Sequence, residues 1–192
     1  FGWQLALVLL GMASLLMIPL SWGLREPSFA GGGAPARDQS IGQALREAFK
    51  YPSFQLLMAG YFVCGFQVVF IGVHMPSYLK DNGLSPTVAS TALALIGLFN
   101  IFGTYITGSL GQRVSKPRML SVIYLLRSAV IVSFLLAPLT PWSVYLFASA
   151  MGLLWLSTVP PTNAVVAQIF GVRYMSMLGG VVFLNHQFGS FL

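Results

Sequence analysis

Along this chain, apolar runs long enough to cross a bilayer alternate with polar linkers. A hydrocarbon core of about 30 Å takes about 20 apolar residues of helix. Reading the runs against charged residues, Pro and Gly predicts six helices, over residues 2–24, 53–79, 85–110, 119–138, 142–170 and 174 to the end. A transmembrane barrel would show segments of about 10 residues in strict apolar/polar alternation, a pattern absent from these runs. The expected fold is therefore an all-α polytopic membrane protein. The first linker, REPSFAGGGAPARDQSIGQALREAFKYP, combines a Gly/Ala/Pro piece with the stretch SIGQALREAFK, where Ile41, Leu45 and Phe49 recur at helical spacing. That stretch is read as a short helix on the membrane surface. The predicted organisation is a spanning helix over 1–24, a linker with its surface helix over 25–52, and a bundle over 53–192.

Composition narrows the class. Of the 192 residues 56% are hydrophobic and 7% charged, and a mean hydropathy of +0.80 excludes a water-soluble domain. The single cysteine, Cys64, lies inside an apolar run and is read as a small packing residue. The chain opens on Phe1 and ends at Leu192 within an apolar run, so it is expected to be a piece of a longer protein. Charge gives the orientation. Linkers one, three and five hold eight cations (Arg25, Arg37, Arg46, Lys50, Arg113, Lys116, Arg118 and Arg173), whereas linkers two and four hold Lys80 alone, beside Asp81. This asymmetry predicts that the odd linkers face the cytoplasm. The net charge of +6 is scattered over short loops and does not form a nucleic-acid surface. No phosphate loop, metal-ligand cluster or Ser/His/Asp constellation is present, so neither an enzyme nor a cofactor is expected.

The linker GSLGQRVSKPRML carries a motif. It resembles the major facilitator superfamily, in which a sequence of the form G-x-x-x-D-R-x-G-R-[RK] follows the second helix of each six-helix half. Gly108, Arg113, Lys116 and, displaced one position by Pro117, Arg118 match; Gln112 stands where the acid is expected and Ser115 where the second glycine is. The resemblance implies that the chain runs from about the sixth helix through the central loop to the eleventh. It also implies a gating role for the motif at the cytoplasmic face, beside the plainer role of a topology anchor. Further pieces, GFQVVFIGVHMPSYLKDNGLS, WLSTVPPTNAVVAQIFGVRYMSMLGG and VFLNHQFGSFL, are similar to the bacterial monocarboxylate-transporter-like branch. That branch moves small organic anions, often with protons or by exchange. A substrate-binding arginine of that branch has no counterpart here, because its place is taken by Thr104.

Polar groups at membrane depth are the remaining candidates, because an unpaired one is expensive there. Gln67 and His74 are seven residues apart on one helical face, with Tyr78 one turn on and Pro76 able to bend or end the helix. Histidine can carry a coupling proton or donate to a carboxylate. Arg127 lies eight residues beyond Met119, about 12 Å deep at about 1.5 Å per residue. No Asp or Glu lies within the six spans, so its counter-charge must be a substrate anion, a carboxylate elsewhere in the protein, or helix carbonyls. Carbonyls near Pro138, or Asn100, would make it structural; a substrate or gating role is the alternative. In the fifth run, Pro160 and Pro161 remove two backbone donors and predict a mid-membrane break, with Trp155, Thr158 and Asn163 lining a cavity beside it. Asn185, His186 and Gln187 fan around the last helix, His186 and Gln187 being candidates for the cavity. Gly179, Gly180 and Gly189 offer a packing seam. Phe66, Phe70 and Phe99 are read as packing or lipid-facing.

These features point to a secondary transporter of small organic solutes, monocarboxylate-like anions foremost, with protons as a possible partner. Efflux of lipophilic compounds and a non-transporting scaffold remain the alternatives. The transporter reading expects Asn163, His74 and His186 to gather around one wet crevice.

Overall fold

The computed structural model describes residues 5, 8, 11, 12, 15, 40–171 and 174–192. The expected first span lies mostly outside these residues, although 5, 8, 11, 12 and 15 are helical. Arg25, Arg37 and Arg173 lie outside them too. Residues 39–192 form one compact unit of seven described helices: α1 Ile41–Lys50, α2 Pro52–Asp81, α3 Pro86–Leu110, α4 Lys116–Leu136, α5 Pro141–Leu154, α6 Val159–Phe170 and α7 Met175–Phe191.

Local chemistry sets the helix starts. Ser40 caps α1 in a reciprocal box: its Oγ accepts from the Gln43 amide at 3.3 Å, while Gln43 Oε1 accepts from the Ser40 amide at 3.0 Å. Thr140 and Ser143 repeat the arrangement at α5. α2, α3, α4, α5 and α6 each carry a proline in the first turn, where a missing N–H costs nothing. Gly83 takes φ +81° in the tight turn between α2 and α3, a conformation that suits glycine. α2, α3, α4 and the combined stretch Pro141–Phe170 are long and apolar enough to cross a membrane. α7 has 17 residues, about 25 Å at about 1.5 Å per residue.

One expectation needs correction. Pro76 does not end its helix, because α2 continues to Asp81. The break expected in the fifth run is present: the run is two helices interrupted at Trp155–Thr158, the turn whose backbone bonds Pro160 and Pro161 cannot complete. Both prolines occupy the opening turn of α6. α1 forms over the expected amphipathic stretch; it seats through Ala44 and Ala48, both buried, and leaves Ile41 and Phe49 exposed.

Two close helix crossings hold the bundle together. At the α2–α7 crossing, a methyl group at Gly65 would collide with the His186 carbonyl, and one at Gly189 with the Phe62 carbonyl. At the α3–α5 crossing, Gly103 faces the Leu153 carbonyl, and a Cβ on Gly152 would lie 2.7 Å from the Ile96 carbonyl oxygen. Each crossing draws a glycine from both helices, which lets the backbones approach as packing in lipid demands. Of the three glycines expected to form a seam on α7, only Gly189 does so: Gly180 has open space beside it and Gly179 meets nothing closer than Asn163 Oδ1 at 3.4 Å. Apolar cores flank the crossings. One joins Met75 and Leu79 to Ala92, Ile96, Phe147 and Met151; the other joins Ala48, Phe54 and Tyr61 to Val166, Leu178 and Val182.

Candidate functional site

The polar residues at depth fall into three separate settings. The first is a groove between α2, α4 and α5 with a volume of about 350 Å³. Helical periodicity puts Gln67, His74 and Tyr78 along its edge, above a floor that includes Phe134 and Phe147, stacked with ring centroids 4.3 Å apart. Gln67 Oε1 is buried and has no hydrogen-bond partner. His74 is exposed, its ring 4.7 Å from that of Phe70. Phe66 and Phe70 line the same groove. The arrangement offers a row of hydrogen-bonding groups beside aromatic rings.

The second setting is a dry polar centre where α2, α4, α7 and the α5–α6 break converge. Arg127 is wholly buried. Its Nε donates to the Leu154 carbonyl at 3.1 Å and Nη2 to the same oxygen at 2.5 Å. Nη2 also donates to the Trp155 carbonyl, and Nη1 donates to Cys64 Sγ at 3.0 Å. The guanidinium carbon lies 5.8 Å from the centre of the Tyr124 ring. The anticipated partners near Pro138 and at Asn100 are therefore not used. Arg127 takes the carbonyls released at the end of α5, where the helix dipole favours a cation. Asn100 turns its Oδ1 to the Leu156 amide at 3.0 Å.

Thr158 is fully buried, with its Oγ1 3.6 Å from Cys64 Sγ; it faces protein, not a cavity. Trp155 is half-buried and packs on the core around Met151 and Phe147. His186 is also buried, with ring centroids 4.9 Å from Tyr61 and 5.6 Å from Phe183. Asn185 Nδ2 donates to the Met58 carbonyl at 2.6 Å.

The third setting is the bundle surface. Asn163 and Gln187 are exposed, away from the groove of His74. Asn163 does not line the groove of His74, whereas His74 shares a small pocket with Ser190 of α7, whose Oγ lies 3.5 Å from His186 Nδ1. The linker motif also lies at the surface: Gly108, Gln112, Arg113 and Arg118 are exposed and Lys116 is half-buried. No described atom lies within 4 Å of a Cβ added at Gly108.

Sequence reasoning missed Cys64, the residue on which Arg127 and Thr158 meet. Nothing in a single apolar-run cysteine signals that contact. The carbonyl partners of Arg127 were more accessible, since a mid-membrane cation without an acid and a downstream proline pair together imply free carbonyls for it.

The family model described as Major Facilitator Superfamily matches residues 1–192. The chain belongs to the major facilitator superfamily. Two curated relatives are similar to it. One, 25% identical over 97% of this chain and 47% of its own length, is the uncharacterized MFS-type transporter YcxA of Bacillus subtilis (strain 168). The other, 20% identical over 98% of this chain and 48% of its own length, is the uncharacterized MFS-type transporter YhjX of Escherichia coli (strain K12). The chain thus spans about half the length of the curated relatives it matches. No solved structure matches it. Family membership and the four long apolar helices make it an integral membrane protein of the superfamily, and account for the large apolar side chains, such as Leu56, Tyr105 and Leu125, on its outer face.

Proposed function

We propose that this chain is the C-terminal half of a secondary active transporter that moves small organic solutes, monocarboxylate-like anions foremost, by alternating access. The family match along the whole chain supports the transporter role on which the reading is built. In it, the solute binds near mid-membrane between this half and a further N-terminal half, and a proton is the coupling ion. Arg127 is committed to backbone carbonyls, so it is not the anion's partner. Coordination falls to the Gln67 amide, the His74 ring and the Tyr78 hydroxyl of the groove. The linker motif from Gly108 to Arg118 acts at the cytoplasmic gate, and the protein sits in a bacterial inner membrane.

The test is uptake of radiolabelled lactate by proteoliposomes holding the full-length protein, with and without an inward proton gradient. Gradient-driven uptake that falls at least tenfold in His74→Ala and Gln67→Ala is expected. Uptake indifferent to the gradient and to both substitutions overturns the monocarboxylate assignment. A second reading, efflux of lipophilic compounds, is favoured by the aromatic floor of the groove. Under it, the same vesicles extrude a neutral lipophilic dye and leave lactate untouched.

A further inference from the structure

A helix interrupted in mid-membrane leaves carbonyls and amides without partners, and in hydrocarbon each must be satisfied by something. When water or ligand does so, the break is free to flex. At Trp155–Thr158 protein side chains do so, and they come from two different helices. From α4, the Arg127 guanidinium reaches the carbonyls of both Leu154 and Trp155. From α3, Asn100 Oδ1 takes the Leu156 amide at 3.0 Å and is itself met by Thr104 Oγ1 at 3.4 Å. Within the break, Ser157 Oγ donates to the Leu153 carbonyl at 2.5 Å, and Thr158 Oγ1 lies against Cys64 Sγ of α2. The Leu154 carbonyl and both polar ends of the Trp155–Leu156 peptide unit are thus held by different neighbours.

We propose that Arg127 and Asn100 are positioning residues that brace the α5–α6 break at a fixed angle, making it a rigid elbow rather than a hinge. The planar guanidinium is suited to this, because its donors diverge in a fixed fork and reach two consecutive carbonyls at once. A lysine ammonium on a flexible stem reaches them without fixing their relative orientation. The brace holds the angle at which α6 presents Asn163 at the bundle surface. It also ties α4, α3 and the break into one body that moves as a unit during any conformational change. The inference does not depend on the identity of the solute.

The experiment uses the full-length protein in nanodiscs with spin labels on Leu146→Cys of α5 and Gln168→Cys of α6, both exposed. Cys64, 1% exposed, stays in place. Pulsed EPR is expected to give one narrow distance distribution that broadens or shifts in Arg127→Gln. Hydrogen exchange of residues 154–159 is expected to rise about tenfold to a hundredfold, as loss of charge-assisted bonds implies, while exchange around Gly65 in α2 stays unchanged. Arg127→Lys, which keeps the charge and loses the fork, is expected to broaden the distribution as Arg127→Gln does. Asn100→Ala frees the amide end of the same Trp155–Leu156 peptide unit and serves if Arg127→Gln does not assemble. An unmoved distribution in Arg127→Gln and Asn100→Ala, a wild-type distribution in Arg127→Lys, or exchange that rises uniformly through the bundle overturns the brace.

Discussion

At the scale of single residues, the glycines of α3 separate two opposed effects. Replacing glycine by alanine within a helix gains up to about 1 kcal/mol of propensity, whereas forcing a methyl group into an occupied site costs about 1–3 kcal/mol. Gly97 has open space around it and Gly103 abuts the Leu153 carbonyl. Gly97→Ala is therefore expected to leave the thermal unfolding of the purified protein unchanged or slightly raised. Gly103→Ala is expected to lower it, because the obstacle is backbone and cannot rotate away; equal behaviour of the two would show that the α3–α5 crossing is looser than described. Arg127 poses a similar contest. Arg127→Met removes a buried charge but leaves the Leu154 and Trp155 carbonyls unsatisfied at about 1–3 kcal/mol each. A net loss of stability is expected in a denaturant titration, and a stable Arg127→Met protein would mean that water reaches the break. Single-residue roles were the part least legible in the sequence. A seven-residue spacing correctly put Gln67 and His74 on one face, but it could not reveal that Arg127 would find Cys64, since that contact joins residues 63 positions apart on different helices.

At the scale of elements, the apolar runs gave the helices of the bundle to within a few residues, because hydrophobic length and first-turn prolines are local signals. The position of the break in the fifth run was less legible. Two adjacent prolines predicted an interruption, and it falls in the turn just before them, while they themselves open α6. The energetic comparison explains why. A continuous helix would regain a few backbone bonds at about 0.5–1.5 kcal/mol each, while bonds to a charged group contribute about 1.5–3 kcal/mol each, and Arg127 makes its carbonyl bonds only when the helix is open. The double substitution Pro160→Ala/Pro161→Ala is therefore expected to leave the break in place. The spin-label distance between positions 146 and 168 reads this directly: a lengthening towards that of a straight helix would mean that the prolines, not the arginine, hold the break open.

At the scale of the whole molecule, orientation in the bilayer follows from charge placed where the chain reverses. Arg46 and Lys50 lie on α1 at the foot of α2, and Arg113, Lys116 and Arg118 lie at the turn from α3 to α4. α2 and α3 run in opposite directions as consecutive spans, so both cationic clusters fall on one side of the membrane, and Lys80 with Asp81 falls on the other. Cations near span ends are retained on the cytoplasmic side, whereas acids contribute little, so the α3–α4 turn is expected inside and the α2–α3 turn outside. Position 82 in the outer turn and position 113 in the inner one are both exposed, and Cys64 is enclosed by its neighbours, so the native thiol contributes little background. A membrane-impermeant maleimide added to intact cells is expected to label Asn82→Cys and spare Arg113→Cys, and to label both once the membrane is permeabilised. The reverse pattern would invert the bundle, put the motif from Gly108 to Arg118 on the outer face, and remove the physical basis for a cytoplasmic gate there.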